Sequence, residues 1–299
     1  MNTETETSGW IFGISAFLIW GFLPIYFKYV SHVSAEEILA HRIVWCVPFT
    51  LLFMLMLKKR LLLASIIKDK KLFFGLIVST LLITCNWYVF TWAVTHGQIL
   101  STSLGYFINP IFSILLGVIF LSESLSKFQW AAVVLVSLGV LNQIINYGEI
   151  PWAALTLATS FALYGFMRKK LAVDSLNGLL VETLIAFPFA LAYIIWQIYT
   201  SQAVFLNYSS LTDVLLIAGG IITAVPLILF AAAAKKIPLN SIGFLQFIAP
   251  SISFVIATQY YNEHLGTEQL MSFVLIWIGL SMYLVKPMRA VFGRRTSRS

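Results

Sequence analysis

Charged residues are scarce in this chain of 299 residues. Only 10% are Asp, Glu, Lys or Arg, against about 25% in a typical soluble domain. In contrast, 60% are hydrophobic and the mean hydropathy is +0.90. Because so few charges cannot cover the surface of a globule this large, the composition excludes an ordinary soluble domain and a disordered chain. It also excludes a nucleic-acid-binding domain, so we expect no nucleic acid as a partner, despite the net charge of +7.

Cysteine and the sequence motifs of catalysis are scarce as well. Cys46 and Cys85 lie in separate apolar runs, form no C-x-x-C motif and are expected to be small core residues. We find no H-E-x-x-H, no G-x-S-x-G and no glycine-rich phosphate loop. The histidines lie at scattered span ends, at His32, His41, His96 and His264. The sequence therefore predicts no catalytic residue, no cofactor and no metal, and it disfavours a membrane enzyme or assembly factor.

Long apolar runs, by contrast, are abundant. A membrane-spanning helix needs about 20 mostly apolar residues, and the chain contains ten such runs. They cover residues 9–30, 38–57, 72–95, 101–121, 129–146, 151–168, 177–199, 213–234, 238–260 and 268–286. The connections are short, so the sequence predicts an all-α membrane protein with ten transmembrane helices in the lipid bilayer. Residues 1–8 hold no Lys or Arg, and we expect the first span to be retained rather than cleaved as a signal peptide.

Positive charges fall on one side of the predicted membrane. Of the 19 Lys and Arg residues, 17 lie on one side of the predicted membrane, in alternate connections, at the ends of adjoining spans or in the C-terminal tail. Arg168 is among them, and the exceptions are Lys28 and Arg42. Since positively charged loops stay in the cytoplasm, this pattern predicts that both termini are cytoplasmic. The basic tail is interpreted as a topology signal with some lipid contact, rather than as a nucleic-acid arm.

The two halves of the chain resemble each other at an offset of 140 residues. Residues 97–139 align without gaps to 237–279, with 11 identities in 43 positions, Glu123 and Glu263 among them. Five helices is an odd number, so the second copy would enter the membrane from the opposite side. We therefore predict two inverted five-helix repeats, at 1–147 and 148–299, the second with a basic cytoplasmic tail. Inverted repeats are typical of transporters, although channels also contain them.

Prolines interrupt three of the predicted spans. Pro110 and Pro250 are repeat-equivalent in the fourth and ninth spans, and Pro24 lies in the first. A proline cannot donate to the carbonyl four residues earlier, so each should kink its helix. Freed carbonyls bind substrate in the interrupted helices of carriers. Alternatively, neighbouring helices satisfy them and the kinks are structural.

Polar and aromatic side chains deep in the spans form the candidate site, because polar groups are costly there. Seven residues are predicted to bind substrate: Trp20, Asn86, Trp87, Tyr106, Asn109, Tyr164 and Gln246. Amides beside aromatic rings suit a small amphipathic solute, and we expect spans one, three, four, six, eight and nine to line its cavity. Arg42 and Glu182, also repeat-equivalent, are interpreted as coupling or structural charges. No acid lies at the centre of a span, which argues against cation–proton exchange unless Glu182 is the coupling group.

With these features, the chain resembles the RarD branch of the EamA-type drug/metabolite transporters. The resemblance rests on segments starting at Glu37 (EILAHRIVW), Asn86 (NWYVFTWAV), Ser103 (SLGYFINP), Tyr164 (YGFMRKK), Thr223 (TAVPLILFA) and Gly243 (GFLQFIAP). Related chains tend to have Glu where this one has Ser101.

The resemblance implies a carrier of the bacterial inner membrane that exports small metabolites or drugs by alternating access. Amino-acid-like metabolites and chloramphenicol-like drugs are the candidate substrates; the branch name is linked to chloramphenicol sensitivity, which by itself does not identify the substrate. A passive channel or facilitator for small solutes is the alternative function.

Overall fold

The computed structural model describes residues 3–95, 99–147, 152–256, 259 and 267–292, and these residues form thirteen helices. The helices are α1 (Thr3–Gly21), α2 (Leu23–Tyr29), α3 (Ala35–Met56), α4 (Leu63–Lys68), α5 (Lys70–Thr95), α6 (Ile99–Leu121), α7 (Lys127–Tyr147), α8 (Trp152–Lys170), α9 (Ser175–Tyr199), α10 (Ser210–Lys236), α11 (Leu239–Leu245), α12 (Ile248–Val255) and α13 (Thr267–Phe292). An all-helical fold is thereby confirmed.

A helix lies at each of the ten apolar runs. The first run is divided into α1 and α2 and the ninth into α11 and α12, while the short α4 belongs to the connection between the second and third runs. Among the described residues, five stretches are long and apolar enough to cross a membrane: Thr5–Tyr29, Ala35–Met56, Lys70–Ala93, Ser175–Tyr199 and Ser210–Lys236. Shorter apolar helices occupy Gly105–Leu121, Lys127–Asn142, Leu239–Val255 and Leu270–Tyr283.

Three helices begin at side chains that cap their first turn. The Ser34 hydroxyl accepts from the backbone of α3 at 3.3 Å, and the Ser209 hydroxyl accepts from that of α10 at 3.1 Å. An Asp174 carboxylate oxygen accepts from two backbone N–H groups of α9, each at 3.1 Å. Because these oxygens satisfy N–H groups that have no partner inside the helix, they fix where each helix begins.

The three prolines act differently on their helices. The first span breaks at Phe22, and Pro24 follows in the first turn of α2. In the ninth span the helix is interrupted at Gln246 and Phe247, just ahead of Pro250 in α12. The helix α6 continues through Pro110. Repeat-equivalent prolines therefore accompany an interrupted span in one half and a continuous helix in the other.

The packing of the helices follows the predicted repeat. If α1, α3, α5, α6 and α7 correspond to α8, α9, α10, α11–α12 and α13, the packed pairs occur in matching sets. Three pairs that join the two halves each have a counterpart when the halves are exchanged. The pair α6–α8 corresponds to α12–α1, and the pair α5–α8 corresponds to α10–α1. The pair α3–α10 corresponds to α9–α5. The pairs α3–α9, α7–α13 and α6–α11 each join equivalent helices. Two copies related by a twofold axis give this pattern; the boundary at residue 147 stays a prediction.

Two glycines bring α1 close to its neighbours. A Cβ atom at Gly9 would lie 2.7 Å from Ile237 Cγ2, and one at Gly13 would lie 2.7 Å from Leu245 Cδ1. Small residues four apart allow this close approach of helices in a membrane. The pair therefore has a packing role at the junction of α1 with α10 and α11.

Apolar side chains also cover the outside of the helices, as expected for a surface in contact with lipid. On α5, Leu81 is 65% exposed and Tyr88 is 48% exposed. Cys85 lies on the same helical face and is exposed, whereas Cys46 is buried. The prediction of a core position is therefore right for Cys46 and wrong for Cys85, because helical spacing aligns Cys85 with the outward residues Leu81 and Tyr88.

Candidate functional site

A narrow internal cavity lies among α3, α5, α8, α9 and α10. Its polar and aromatic walls are Trp87, Tyr164 and Glu182, and the remaining lining is formed by Ile43, Ile83, Thr84, Leu179, Thr183, Ala186 and Leu227. The cavity has room for about one water molecule. Spans three, six and eight line it, as the sequence predicts. Spans two and seven line it unexpectedly, while the expected spans one, four and nine contribute no lining residue.

Glu182 is the centre of a buried polar cluster beside this cavity. Its carboxylate accepts from Ser79 Oγ at 2.6 Å and from Tyr164 OH at 3.3 Å, and it forms an ion pair with Arg168 at 3.4 Å. The side chains of Arg168 and Glu182 are 0% and 2% exposed. Helices α5, α8 and α9 are thus joined through one carboxylate, which gives Glu182 a structural partner in this conformation.

The position of Arg168 depends on a glycine. A Cβ atom at Gly178 would clash with the Arg168 guanidinium, so glycine at this position of α9 leaves the space that the guanidinium occupies. The guanidinium also donates to the carbonyls of Asp174 and Ser175 at 3.4 Å. The sequence counts Arg168, the last residue of the sixth run, among the charges of the cytoplasmic side; the structure shows that it is buried, because α8 continues to Lys170 and directs Arg168 inward. An opposite charge 14 residues away, at Glu182, was the signal that could have indicated the pair.

Arg42 lies on α3 in a second buried cluster, where it is 6% exposed. Its Nε donates to Thr223 Oγ1 at 2.8 Å. The guanidinium carbon lies 5.2 Å from the ring centroid of Trp87 and 5.7 Å from that of Phe27. Both distances are within the range of a cation–π contact. Trp87 therefore lies against Arg42 and also forms part of the cavity wall.

The side-chain amide of Asn86, next to Trp87, forms hydrogen bonds to α8. Its Nδ2 donates to the Leu157 carbonyl at 2.9 Å and to Ser160 Oγ at 3.0 Å. These bonds tie α5 to α8. A solute could reach this amide only if the two helices moved apart.

Trp20 and Tyr164 come together around two phenylalanines. The Phe230 ring lies 5.7 Å from Trp20 and 6.0 Å from Tyr164, between ring centroids. Phe161 lies 5.5 Å from Trp20 and 5.9 Å from Tyr164. The two predicted wall residues thus belong to one aromatic cluster that joins the two halves of the chain through α1, α8 and α10.

The other predicted site residues lie on α6 and at the break of the ninth span. Tyr106 is 43% exposed, with its ring centroid 5.9 Å from Phe90. Asn109 is buried, and its Oδ1 has no hydrogen-bond partner. Gln246 is buried as well and donates from Nε2 to Ser113 Oγ at 3.0 Å. None of the three lines the cavity around Trp87; the side chain of Ser101 lies outside those described.

A further set of contacts closes the molecule at the end predicted to face the cytoplasm. Glu123 accepts from the backbone N–H groups of Leu239 at 2.7 Å and Asn240 at 2.8 Å. Lys169 lies 3.6 Å from the same carboxylate and donates to the Ile237 carbonyl at 2.6 Å. The loop after α6 is thereby bound to the start of α11. The repeat-equivalent Glu263 lies outside the described residues.

Metal-binding side chains are not clustered in the part of the chain that the structure describes. No group of three or more His, Cys, Asp or Glu there could hold an ion. His96 and His264 lie outside the described residues. His41 accepts from Trp45 Nε1 at 3.1 Å and packs against Phe205.

The chain is similar to known proteins in both sequence and fold. Residues 7–142 match the model of the EamA-like transporter family. Protein RarD of Escherichia coli (strain K12) is 40% identical over 300 residues, which cover 100% of both chains. An uncharacterized transporter of Vibrio cholerae serotype O1 is 37% identical over 297 residues, covering 99% of this chain and 98% of the relative. A solved crystal structure is similar with a TM-score of 0.71, covering 92% of this chain and 97% of that chain, at 15% identity; it supports the fold alone.

Proposed function

Because this chain belongs to the RarD branch of the EamA-like transporter family, we propose that it is a secondary carrier working by alternating access. The observation that carries the proposal is the symmetric packing of two five-helix units around the cavity at Trp87, Tyr164 and Glu182. Two units of opposite orientation can exchange conformations, which opens a central site to either side of the membrane in turn.

The closed interior supports a carrier rather than a channel. The cavity holds about one water molecule, whereas a passive pore needs a continuous path. The hydrogen bonds that Glu123 accepts from Leu239 and Asn240 join the loop after α6 to the start of α11, at the end predicted to face the cytoplasm. Breaking them would let that end open while the rest of the helix packing persists. The interrupted spans at Phe22 and at Gln246 provide points at which helices can bend.

The chemistry of the pocket supports small amphipathic solutes. Trp87 and Tyr164 offer aromatic faces in the cavity. The buried amides of Asn109 and Gln246 lie outside its lining in this conformation, and we propose that they meet the polar end of the solute when the helices rearrange. Amino-acid-like metabolites and chloramphenicol-like drugs are the first solutes to test, with export as the physiological direction. The proposal includes no chemical conversion, so a labelled solute should be recovered unchanged after transport.

We place the multi-pass protein in the bacterial inner membrane with both termini in the cytoplasm. The support is the charge asymmetry of the connections, which remains strong when Arg168 is counted as a buried residue. Reporter fusions at the two ends test this placement. A C-terminus exposed on the outside would contradict it.

The experiment for the binding site is solute uptake into proteoliposomes that contain the full-length protein. We expect saturable uptake, and we expect Asn109→Ala and Gln246→Ala to raise the half-saturation concentration by about tenfold, the effect of one lost polar contact to solute. Gln202→Ala, at an exposed glutamine, is the matched control. Unchanged half-saturation in both site variants would remove these amides from the binding site.

A further inference from the structure

We propose that Arg42 binds the carboxylate of the transported solute, and that the solutes are aromatic monocarboxylates in their ionised form. The inference rests on the proposed carrier function and narrows its substrate class. It starts from the fact that Arg42 is a buried cation whose protein partners leave its charge uncompensated.

Arg42 has no acidic partner among the residues that the structure describes. The ion pairs there, with nitrogen and oxygen within 4.0 Å, join other residues. The one side-chain hydrogen bond of Arg42 runs from Nε to the neutral hydroxyl of Thr223. Acids that could have served are engaged elsewhere: Glu37 accepts from the backbone of the loop after α9, Asp213 accepts from Leu206, and Glu182 pairs with Arg168.

A charge in this position is unfavourable without a partner. Arg42 is 6% exposed in a chain that crosses the membrane, and a buried ion loses its hydration. The faces of Trp87 and Phe27 offset part of this loss through cation–π contacts, but not as an anion would. Ionisable side chains inside membrane proteins mark solute pathways for this reason. A solute anion would complete the site.

The groups around Arg42 form a wall for an apolar body. The ring centroid of Phe90 lies 5.4 Å from that of Phe27 and 5.9 Å from that of Tyr106, so three rings follow one another outward from Phe27, which contacts the guanidinium. Trp87 continues this wall into the cavity. A guanidinium fork binds a carboxylate through two parallel N–H groups. An aromatic ring carrying one carboxylate would use the fork and the wall together.

The number of charges selects the class of solute. Among the described residues of this cluster, Arg42 is a cation without an acidic partner. Its single charge matches one negative charge and not the two of a phosphate monoester. These residues offer no free acid for an ammonium group, because Glu182 already accepts from Ser79 and Tyr164 and pairs with Arg168. A monocarboxylate therefore suits the cluster better than a cationic drug or a zwitterionic amino acid.

The test compares two probes of equal shape on the purified full-length protein. Equilibrium binding is measured for radiolabelled 3-phenylpropanoate and for its neutral amide, 3-phenylpropanamide. We expect the carboxylate to bind about tenfold more tightly than the amide, the effect of a charge-assisted contact. Arg42→Gln should abolish this preference by weakening carboxylate binding alone. Arg60→Gln, at an exposed arginine, is the matched control and should keep it.

Folding of the variants is checked by size-exclusion chromatography. If Arg42→Gln does not fold, Arg42→Lys decides, because it keeps the charge and loses the fork; carboxylate binding should weaken while amide binding stays. Equal binding of the two probes by the wild type, binding of neither, or an unchanged preference in the folded variant would overturn the inference. Selective binding without transport would refute the carrier function alone, whereas equal transport of both probes would refute this inference alone.

Discussion

The buried ion pair between Arg168 and Glu182 makes the fold sensitive to the loss of either charge. Replacing Glu182 by Gln keeps an oxygen for Ser79 and Tyr164 but leaves the Arg168 cation unpaired. Replacing Arg168 by Met leaves the carboxylate with hydroxyl partners only. In both variants one charge stays inside the protein without its opposite, and we expect each to be strongly destabilised.

The magnitude follows from burial. The two side chains are 0% and 2% exposed, so solvent cannot screen the remaining charge. Removal of one partner from a buried pair costs about 3–5 kcal/mol, which is about two to three and a half orders of magnitude in the unfolding equilibrium. The double variant Arg168→Met/Glu182→Gln leaves no unpaired charge. It should therefore be more stable than the sum of the single variants predicts.

The assay is equilibrium unfolding in mixed detergent micelles, followed by helical circular dichroism. Lys170→Met is the control at the neighbouring exposed cation, whose contact with the Phe166 ring contributes below about 1 kcal/mol. Single variants that lose less than about 1 kcal/mol, or strict additivity in the double variant, would refute the reasoning.

Three further predictions concern single contacts. Gly178→Ala should destabilise the protein even though alanine favours helix by about 1 kcal/mol, because its Cβ would displace the Arg168 guanidinium; a stability equal to wild type or higher in the same unfolding assay would contradict this. Asn86→Ala should lower the free energy of unfolding by about 1–3 kcal/mol through the loss of its two hydrogen bonds, to the Leu157 carbonyl and to Ser160, with little change in solute affinity, whereas a lost affinity at unchanged stability would assign the amide to the solute. Glu123→Ala should open the end at α11. A cysteine placed at the buried Ser241, in a background without Cys46 and Cys85, should then react faster with a maleimide than it does with Glu123 present. Glu36→Ala is the control, and equal labelling rates with and without Glu123 would exclude this closure.

Hydropathy alone predicted the helical elements well. A run of about 20 apolar residues forms a helix in lipid, because a helix pairs its backbone N–H and C=O groups by hydrogen bonds within the same segment. Every predicted run contains helix in the structure, although the first and ninth are divided. The offset of 140 residues likewise anticipated which helices pack in equivalent pairs.

The hydrogen-bond and ion-pair partners of the buried side chains could not be predicted from the sequence. Asn86 was predicted to face solute, yet its partners lie 71 and 74 residues away on α8. Arg168 ends an apolar run and was counted with the basic residues that follow it, whereas the structure buries it beside Gly178 and paired with Glu182. Such positions depend on the rotation of one helix against another, which hydropathy does not encode.

Entrance counterflow in proteoliposomes is the most direct test of alternating access. Vesicles are preloaded with unlabelled solute, and uptake of the same labelled solute is followed for chloramphenicol, an aromatic amino acid and 3-phenylpropanoate. A carrier whose site faces one side at a time should show a transient accumulation of label above equilibrium for at least one solute. Uptake that rises linearly with concentration and never exceeds equilibrium for any of the three would contradict a carrier and identify a passive facilitator.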